Sequence, residues 1–296
     1  MRILLTAGTG FLGSHLVKKM IFEGFEVTML KRSFSNCSRI AEVIDRSNLH
    51  VYDIDKIDLK EVFKQNRYDI VVHTATMYGK NNESVHTVLE SNLIYPIKII
   101  ELAIEHKVKA FINTDSYFNK ENTSYNRLLN YSLSKKSLLT WLRQFSKEIN
   151  IINVILEHIY GPYDSSQKFV ENIIQKIAVE KVDRVSLTHG HQKRDFVYVD
   201  DVAEAYVILM AHACTHSFTY KTVEVGSGRS IEIKEFVRQI KQLSKSRTVL
   251  GFGEVPYRAD EIMDSKADIS QLLELGWSPK TNVRDGLSKI LELYRK

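Results

Sequence analysis

A tyrosine and a lysine four residues apart, Tyr131 and Lys135, carry the clearest chemical signal in this chain. In a helix, that spacing places both side chains on one face. A lysine ammonium close to a phenol favours the phenolate, so we expect Lys135 to lower the pKa of Tyr131. Such a tyrosine can give a proton to a carbonyl oxygen while a nicotinamide delivers a hydride to the carbon. The pair therefore predicts oxidoreductase chemistry.

The Tyr-x-x-x-Lys spacing also arises by chance in a chain with 14 tyrosines, so the context of the pair decides. Tyr52 and Lys56 have the same spacing, but Tyr52 lies in the third predicted strand, before the sheet reaches its catalytic edge. Tyr131 and Lys135 follow the fifth predicted strand, where a helix pattern opens. We therefore assign the chemistry to Tyr131.

Two hydroxyls lie at the end of the fifth predicted strand, residues 110–114. Thr114 is the last residue of this strand, and Ser116 comes two positions later. One of them can hydrogen-bond the carbonyl oxygen of a substrate and act as a small oxyanion site. The alternative is that both hydroxyls only satisfy the turn after the strand. The residue pattern alone leaves the two open.

The glycine-rich stretch over residues 6–14 joins an apolar strand to a helix pattern. A helix N-terminus reached in this way presents backbone N–H groups and a positive dipole end, which suit a pyrophosphate. Ala7 occupies the first position of the Gly-x-x-Gly-x-x-Gly spacing, and we expect it mainly to weaken binding. A glycine turn without a ligand is the alternative. The residues predicted to line a dinucleotide here are Gly8, Thr9, Gly10, Phe11, Leu12 and Gly13.

The end of the second predicted strand, residues 26–30, indicates which dinucleotide binds. NAD-selective folds usually place an acidic residue there to hold the ribose hydroxyls. This chain has Lys31, Arg32 and Ser33 instead, which would attract a 2′-phosphate. The segment therefore predicts NADPH, with a solvated basic loop as the alternative.

Strand and helix patterns alternate through the first half of the chain, which predicts an α/β fold with a Rossmann-type, doubly wound parallel sheet. Residues 49–53 form a third strand ending at Asp53, placed to meet the adenine ring. Residues 68–76 form a fourth strand, whose end supplies Thr74, Ala75 and Thr76 where the cofactor passes. Residues 90–104 have helical spacing.

The composition limits the function classes. The chain has 296 residues, 44% of them hydrophobic, and its 41 basic and 36 acidic residues leave a small, dispersed surplus of positive charge. We therefore expect no nucleic-acid partner. No segment is long and apolar enough for a membrane span, and two cysteines do not make a disulfide framework. Because no segment could span a membrane, we expect a cytoplasmic protein. His189 and His191 lack further ligands at suitable spacing, so we expect no metal.

Over nearly its whole length the chain resembles the extended short-chain dehydrogenases/reductases that act on nucleotide sugars. The glycine stretch, the pair Tyr131 and Lys135, and the motifs at residues 53–54, 73–76, 157–162 and 194–201 carry the resemblance. It implies that Thr114 is the catalytic hydroxyl, with Ser116 as the second candidate. It also implies a nucleotide-diphospho-sugar substrate whose diphosphate is bound by Arg194 and Arg258. A homodimer formed by the helices that carry Asn92 and Tyr131 is implied as well.

The resemblance extends the predicted binding site beyond the glycine stretch. The implied cofactor residues are Lys31, Arg32, Ser33, Asp53, Ile54, Thr74, Ala75, Thr76, Asn92, Tyr131, Lys135 and His158. The implied substrate residues are Glu157, His158, Lys168, Phe169, Arg194 and Arg258. His158 is as readily explained as a hydrogen-bonded structural histidine.

Within the family, the details favour reduction over dehydration. Ser116 stands where nucleotide-sugar 4,6-dehydratases carry an acidic residue that they need to eliminate water. The chain most resembles reductases that act on CDP-4-keto-3,6-dideoxyglucose in O-antigen biosynthesis. A reductase of a dTDP- or GDP-4-keto-6-deoxy sugar, a nucleotide-sugar 4-epimerase and a non-catalytic NADPH-binding regulator are the alternatives. The base, the deoxygenation of the ring and the C4 configuration of the product stay open.

The predicted domain organisation has two parts. Residues 1–160 form the NADP-binding Rossmann domain, which the chain re-enters at about residues 197–226, with a strand near Val223. Residues 161–196 and 227–296 form the nucleotide-sugar-binding lobe.

Overall fold

The computed structural model describes residues 1–120 and 128–295. The chain divides into two compact units. The first comprises Met1–Ile155 and Ala203–Val223, and the second comprises Leu156–Val202 and Glu224–Lys296. The sequence places the corresponding boundaries at residues 160, 197 and 226, and the assignment of the second unit to the nucleotide sugar stays a prediction.

A seven-stranded sheet forms the centre of the first unit. Numbered along the whole chain, its strands are β1 (Arg2–Thr6), β2 (Glu26–Lys31), β3 (Leu49–Asp53), β4 (Ile70–His73), β5 (Ala110–Ser116), β6 (Asn150–Leu156) and β11 (Tyr220–Val225). Their order is β11-β6-β5-β4-β1-β2-β3, and the pairs from β3 to β5 are parallel. The order reverses between β1 and β4, where open α/β sheets bind their ligands. The predicted Rossmann-type fold is confirmed.

Buried, β-branched runs explain the central strands. All four residues of β4 are buried, as a strand covered by helices on both faces requires. The strand predicted over residues 68–76 is shorter than expected, because the N–H groups of Thr74 and Ala75 bond to the Thr6 hydroxyl instead of a neighbouring strand. β5 is longer than predicted and continues through Ser116.

Helices flank this sheet. They are α1 (Phe11–Phe22), α2 (Leu59–Gln65), α3 (Val85–Leu89), α4 (Tyr95–Glu105), α5 (Leu129–Phe145) and α7 (Val199–Thr215), of which residues from 203 onward belong to the first unit. A π-helical turn, Glu90–Ile94, joins α3 to α4. The helix predicted over residues 90–104 is therefore part of a longer helical run with one wide turn, a feature often found at functional sites.

The second unit has short strands and amphipathic helices around its own core. Its strands are β7 (His158–Tyr160), β8 (Arg184–Leu187), β9 (Lys193–Arg194), β10 (Phe196–Tyr198), β12 (Ile231–Glu232), β13 (Val249–Phe252) and β14 (Asp264–Ser265). Its helices are α6 (Phe169–Ile174), α8 (Ile233–Ser244), α9 (Ser270–Glu274) and α10 (Val283–Leu293). Trp277 is buried there and its indole N–H donates to the Asp201 carbonyl at 3.0 Å, so it anchors the segment after α9 within this unit.

Among the residues that the structure describes, no helix combines the length and the apolar character that a membrane span requires.

Candidate active site

The glycine stretch turns from β1 into α1 at the switch point of the sheet. Ala7 has a φ of 53°, in the left-handed region, and Gly10 caps α1 in an extended conformation. A Cβ atom on Gly13 would collide with the Ala7 carbonyl oxygen, so only glycine lets the helix start this close to the strand. The first amides of a helix, which have no intrahelical acceptor, and this close backbone fit a dinucleotide pyrophosphate.

The segment after β4 is fixed to the end of β1. The Thr6 hydroxyl accepts the N–H groups of Thr74 at 3.0 Å and Ala75 at 3.1 Å, and it lies 3.1 Å from Nδ1 of His73. The Thr74 hydroxyl donates to the Thr6 carbonyl at 2.6 Å. Two of the predicted cofactor-lining residues therefore lie beside the end of the strand that leads into the glycine stretch.

Of the three polar residues at the end of β2, Lys31 and Ser33 already bind carboxylates. The Lys31 ammonium lies 2.5 Å from Oδ1 of Asp53. Ser33 donates its backbone N–H and its hydroxyl to Asp55, at 2.7 and 2.5 Å. Ion pairing with Asp53 reduces the attraction of Lys31 for a 2′-phosphate.

Two arginines follow Lys31 in the segment after β2. Arg32 is exposed and its guanidinium stacks on Phe34 at 4.8 Å from the ring centre. Arg39 donates to the Thr9 carbonyl at 3.3 Å. The sequence analysis missed Arg39, because only the folded loop brings it back to a residue 30 positions earlier.

The reaction cluster, by which we mean Thr114, Tyr131 and Lys135, lies within the first unit. The Lys135 ammonium is 2% exposed and donates to the backbone carbonyl of Thr114 at 2.9 Å. Burial lowers the pKa of Lys135 to about 8, and the charge of Asp115 opposes that shift. The helix α5 thus fixes Lys135 directly against the end of β5.

The pKa of Tyr131 differs from the one expected from the sequence. Its phenol is buried, and burial raises its pKa well above the ordinary value, with Tyr78 and Asp115 acting in the same direction. A hydrogen bond with Ser116 opposes the increase. The predicted lowering by Lys135 is therefore wrong for this structure, because the cost of burying a phenolate dominates.

Aromatic rings surround Tyr131 on the side of the segments after β4 and β5. The ring of Tyr78 lies 5.0 Å from that of Tyr131, and the ring of Phe118 lies 6.4 Å away in an edge-on orientation. These rings reduce the access of water to the phenol, which agrees with its raised pKa.

The two candidate hydroxyls have different partners. The Thr114 hydroxyl lies 2.7 Å from the hydroxyl of Tyr206, a fully buried residue of α7. Ser116 instead bonds with Tyr131, and its hydroxyl accepts the Phe118 N–H at 3.4 Å. The sequence analysis missed Tyr206, because nothing in the local pattern connects it with a residue 92 positions away.

Asp115 points into a buried amide network. Its carboxylate accepts from Asn119 at 2.8 Å and from Asn153 at 3.1 Å, and Asn153 in turn accepts from Asn113 at 2.7 Å. Burial raises its pKa, and these hydrogen bonds oppose the rise. Asp115 therefore braces the end of β5 and contributes negative charge near Lys135.

Asn92, a predicted cofactor residue, is fully buried in the π-helical turn. Its amide exchanges two hydrogen bonds of 2.8 Å with the backbone of Met77 and donates to the Ser134 hydroxyl at 3.0 Å. Asn92 thus ties the segment after β4 to the helix that carries Tyr131 and Lys135. The structure gives it a positioning role.

In the second unit, Arg194 is almost completely enclosed. Its guanidinium donates to the carbonyl groups of Lys193 and Ile262 and lies 2.5 Å from the Glu261 carboxylate. Arg258, the second predicted diphosphate residue, is exposed, and its carbonyl accepts the Glu261 N–H at 3.2 Å. Glu261, which the sequence analysis missed, therefore links the two arginines.

Glu157 and His158, two further predicted substrate residues, belong to this unit as well. Both carboxylate oxygens of Glu157 accept from the Ser265 hydroxyl, at 2.9 and 2.8 Å. His158 packs edge-on against Phe196, and burial lowers the pKa of its imidazole. These contacts support the structural interpretation of His158, which the sequence left open.

Lys168 and Phe169 stand at the start of α6. The Lys168 ammonium lies 2.9 Å from Asp164, and Phe169 is partly exposed.

Asp195, beside Arg194, is structural: its carboxylate accepts the N–H groups of Ser227, Gly228 and Ala267. It fixes the segments around it instead of contacting a ligand.

The rings of His189 and His191 stack 6.4 Å apart in the second unit. Across residues 1–120 and 128–295, no group of three or more His, Cys, Asp or Glu side chains could hold a metal ion.

This chain is similar to known proteins in both sequence and fold. The model of the NAD-dependent epimerase/dehydratase family matches residues 3–226. The CDP-abequose synthase of Salmonella muenchen is 34% identical over 99% of this chain and 97% of its own length. UDP-glucose 4-epimerase from Thermotoga maritima, solved with UDP-glucose, has a TM-score of 0.84 at 23% identity and covers 100% of this chain and 99% of its own. UDP-glucuronic acid 4-epimerase from Bacillus cereus, solved with UDP-glucuronic acid and NAD, has a TM-score of 0.81 at 21% identity, covering 100% and 99%.

The two solved structures confirm the fold, and the family model spans the glycine stretch, the reaction cluster and the re-entrant strand β11. The chain therefore belongs to the NAD-dependent epimerase/dehydratase family, the extended short-chain dehydrogenases/reductases.

Proposed function

We propose that this chain is an NADPH-dependent reductase of the C4 ketone of a nucleotide-diphospho-4-keto deoxy sugar. The substrate we propose is CDP-4-keto-3,6-dideoxyglucose, which would give CDP-abequose or its C4 epimer CDP-paratose for O-antigen biosynthesis. The observation that carries the proposal is the reaction cluster at the end of β5: a buried phenol, Tyr131, and a buried ammonium, Lys135, which donates to the backbone carbonyl of Thr114.

The protonation state of Tyr131 supports reduction. The phenol carries its proton at neutral pH, because even the ordinary pKa of 10.0 lies well above 7, and burial raises this pKa further. A ketone that receives a hydride needs a proton donor at its oxygen, whereas oxidation of the alcohol would need a base there. Tyr131 is therefore ready to protonate the C4 oxygen.

The residues around β1 and β2 fit NADPH. The glycine stretch would hold the pyrophosphate, and Thr74 and Ala75 would line the path toward the reaction cluster. Arg32 and Arg39 would bind the 2′-phosphate, since Lys31 is paired with Asp53. When bound, NADPH supplies the hydride. The solved relative from Bacillus cereus binds NAD, so the phosphate-binding arginines are the distinguishing feature of this proposal.

The second unit would bind the diphosphate of the sugar nucleotide. Arg194 and Arg258 are its cations, and guanidinium groups bind phosphate oxygens through paired hydrogen bonds. The CDP moiety is proposed from the relative in Salmonella muenchen, whose named product is a CDP-abequose. A full-length match at 34% identity supports the same reaction class.

A panel of substrates tests the proposed function. Purified protein is mixed with NADPH and with the CDP-, dTDP-, GDP- or UDP-linked 4-keto sugar, and the loss of NADPH absorbance is followed. We expect turnover with the CDP substrate, and NMR of the product then assigns the configuration at C4. A nucleotide-sugar 4-epimerase would convert its substrate without net NADPH consumption. Absence of NADPH consumption with every 4-keto sugar would overturn the proposal.

We also propose that two copies pair through the outer face of α5. Leu129, Leu133 and Trp141 are about half exposed and lie within about one third of the helix circumference. A twofold interface uses the same patch on both copies, so one apolar helix face can bury itself against its own copy. Light scattering should give a dimer mass for the native chain. Leu133→Glu should give a monomer, whereas Phe22→Glu on α1 should leave the dimer intact.

A further inference from the structure

The hydroxyl of Tyr206 lies at the end of a single hydrogen bond in the interior of the first unit. Tyr206 is 0% exposed, and its oxygen lies 2.7 Å from the Thr114 hydroxyl. Among the residues that the structure describes, Thr114 is the only hydrogen-bond partner of this phenol. Neither the sequence motifs nor the proposed proton transfer assigns a task to Tyr206.

The direction of this hydrogen bond follows from what each group can do. A buried O–H that finds no acceptor is costly, so the Tyr206 proton must be donated. Burial also raises the pKa of Tyr206 above its ordinary value, so the proton stays on the phenol. Thr114 has one proton and two lone pairs and can accept this bond. Tyr206 is therefore the donor and Thr114 the acceptor.

This direction leaves the Thr114 proton available for another oxygen. If Thr114 donated to Tyr206 instead, its hydroxyl could not also donate to a substrate. The backbone of the same residue is held from the other side, since the Lys135 ammonium donates to its carbonyl at 2.9 Å. The position of the Thr114 oxygen is thus restrained from both sides before a substrate arrives.

We propose that Tyr206 is a positioning residue, which holds the Thr114 hydroxyl in the orientation that donates a hydrogen bond to the carbonyl oxygen of the substrate. The inference rests on the proposed ketone reduction. It adds Tyr206 of α7 to the residues that support that reaction, through its hydrogen bond with Thr114. Preorganised donors of this kind reduce the barrier because they need no reorientation during the reaction.

A double-mutant cycle tests the proposal. The variants are Tyr206→Phe, Thr114→Ala and the double variant, each assayed for kcat and KM with NADPH and the CDP-4-keto sugar. We expect Tyr206→Phe to lower kcat about three- to tenfold, the factor expected for one neutral hydrogen bond, with KM unchanged. Thr114→Ala should lower kcat about 100-fold or more. The double variant should match Thr114→Ala, because Tyr206 acts only through the hydroxyl that is already missing.

Conservative variants separate positioning from structural support. Thr114→Ser keeps the hydroxyl, so Tyr206→Phe should still lower kcat in that background. Tyr68→Phe is the matched control, since Tyr68 is also buried in the first unit and its phenol is also hydrogen-bonded, at 3.3 Å to the Val62 carbonyl. That variant should keep the native kcat.

Two results would overturn the inference while the proposed function stands: a native kcat in Tyr206→Phe, or the same loss in the presence and absence of the Thr114 hydroxyl. If the unmodified chain reduces no 4-keto sugar, the proposed function fails first and the inference fails with it.

Discussion

The reaction cluster in the first unit and Arg194 in the second unit differ in how their charges are matched. Lys135 donates to a neutral backbone carbonyl. Arg194 lies against the Glu261 carboxylate. Lys135 is thus bound by a neutral oxygen, whereas Arg194, which we propose to bind the diphosphate, already pairs with a carboxylate that would compete with the substrate.

The difference also concerns water. Tyr131 and Lys135 are almost fully buried, so their pKa values move far from the ordinary ones. Arg258, the second proposed diphosphate residue, is exposed to solvent. The two proposed diphosphate residues therefore differ from each other, because Arg194 is buried and Arg258 is exposed.

Loss of the Tyr131 phenol should have the largest effect. Tyr131→Phe removes the proton donor, so we expect turnover to fall by at least about 100-fold. NADPH affinity, measured by fluorescence titration, should stay within about twofold. The matched control is Tyr52→Phe, which changes the tyrosine with the same spacing to a lysine and should leave turnover unchanged. Native turnover in Tyr131→Phe would remove this residue from the reaction.

Arg194→Ala should affect binding and not chemistry. Loss of a charged hydrogen bond to the diphosphate should raise KM for the sugar nucleotide about 10- to 100-fold, with kcat within about threefold. Arg184 of the same unit is exposed and pairs with Glu254, so Arg184→Ala should leave KM unchanged. An unchanged KM in Arg194→Ala would show that Glu261 retains the guanidinium when substrate binds.

The buried Lys135 should make stability depend on pH. Its pKa falls from 10.5 to about 8 on folding, so between these values the unfolded chain binds more protons and stability rises with pH. Relative to Lys135→Met, the native chain should gain about 1–2 kcal/mol in free energy of unfolding between pH 7.5 and 9.5, measured with urea. The exposed neighbour Lys136, changed to Met, should show no such trend. Parallel pH curves for the native chain and Lys135→Met would contradict the assignment.

The arginines near the glycine stretch should control cofactor preference. Arg32→Ala and Arg39→Ala should each reduce the preference for NADPH over NADH about three- to tenfold, as judged from kcat/KM. Lys31→Ala should change it less than twofold, because Asp53 already pairs with Lys31. A larger loss in Lys31→Ala than in either arginine variant would reverse this assignment.

The smallest effect concerns Ala7. Its φ of 53° is strained for any residue with a Cβ, so Ala7→Gly should stabilise the chain by about 0.5–1 kcal/mol in thermal unfolding. Equal NADPH affinity in both forms would show that the methyl group costs stability and not binding.

The sequence predicted the architecture well because its evidence is local. Buried apolar runs alternate with helical spacing, and β3 begins and ends as predicted. The ends of β4 and β5 differed from the predicted ones. The Thr6 hydroxyl accepts the backbone N–H groups after His73, and β5 continues through Ser116. The π-helical turn at Asn92 could not be read from spacing, since it depends on the contacts that Asn92 makes with Met77 and Ser134.

By itself, the sequence determined the order of strands and helices, the glycine turn and the common helix face of Tyr131 and Lys135. Each of these depends on residues a few positions apart. The tertiary structure decided which polar groups meet: Lys31 with Asp53, Arg194 with Glu261 and Thr114 with Tyr206, at separations of 22, 67 and 92 residues. It also decided the direction of the Tyr131 pKa, because the loss of water around a phenol depends on the packing of distant segments.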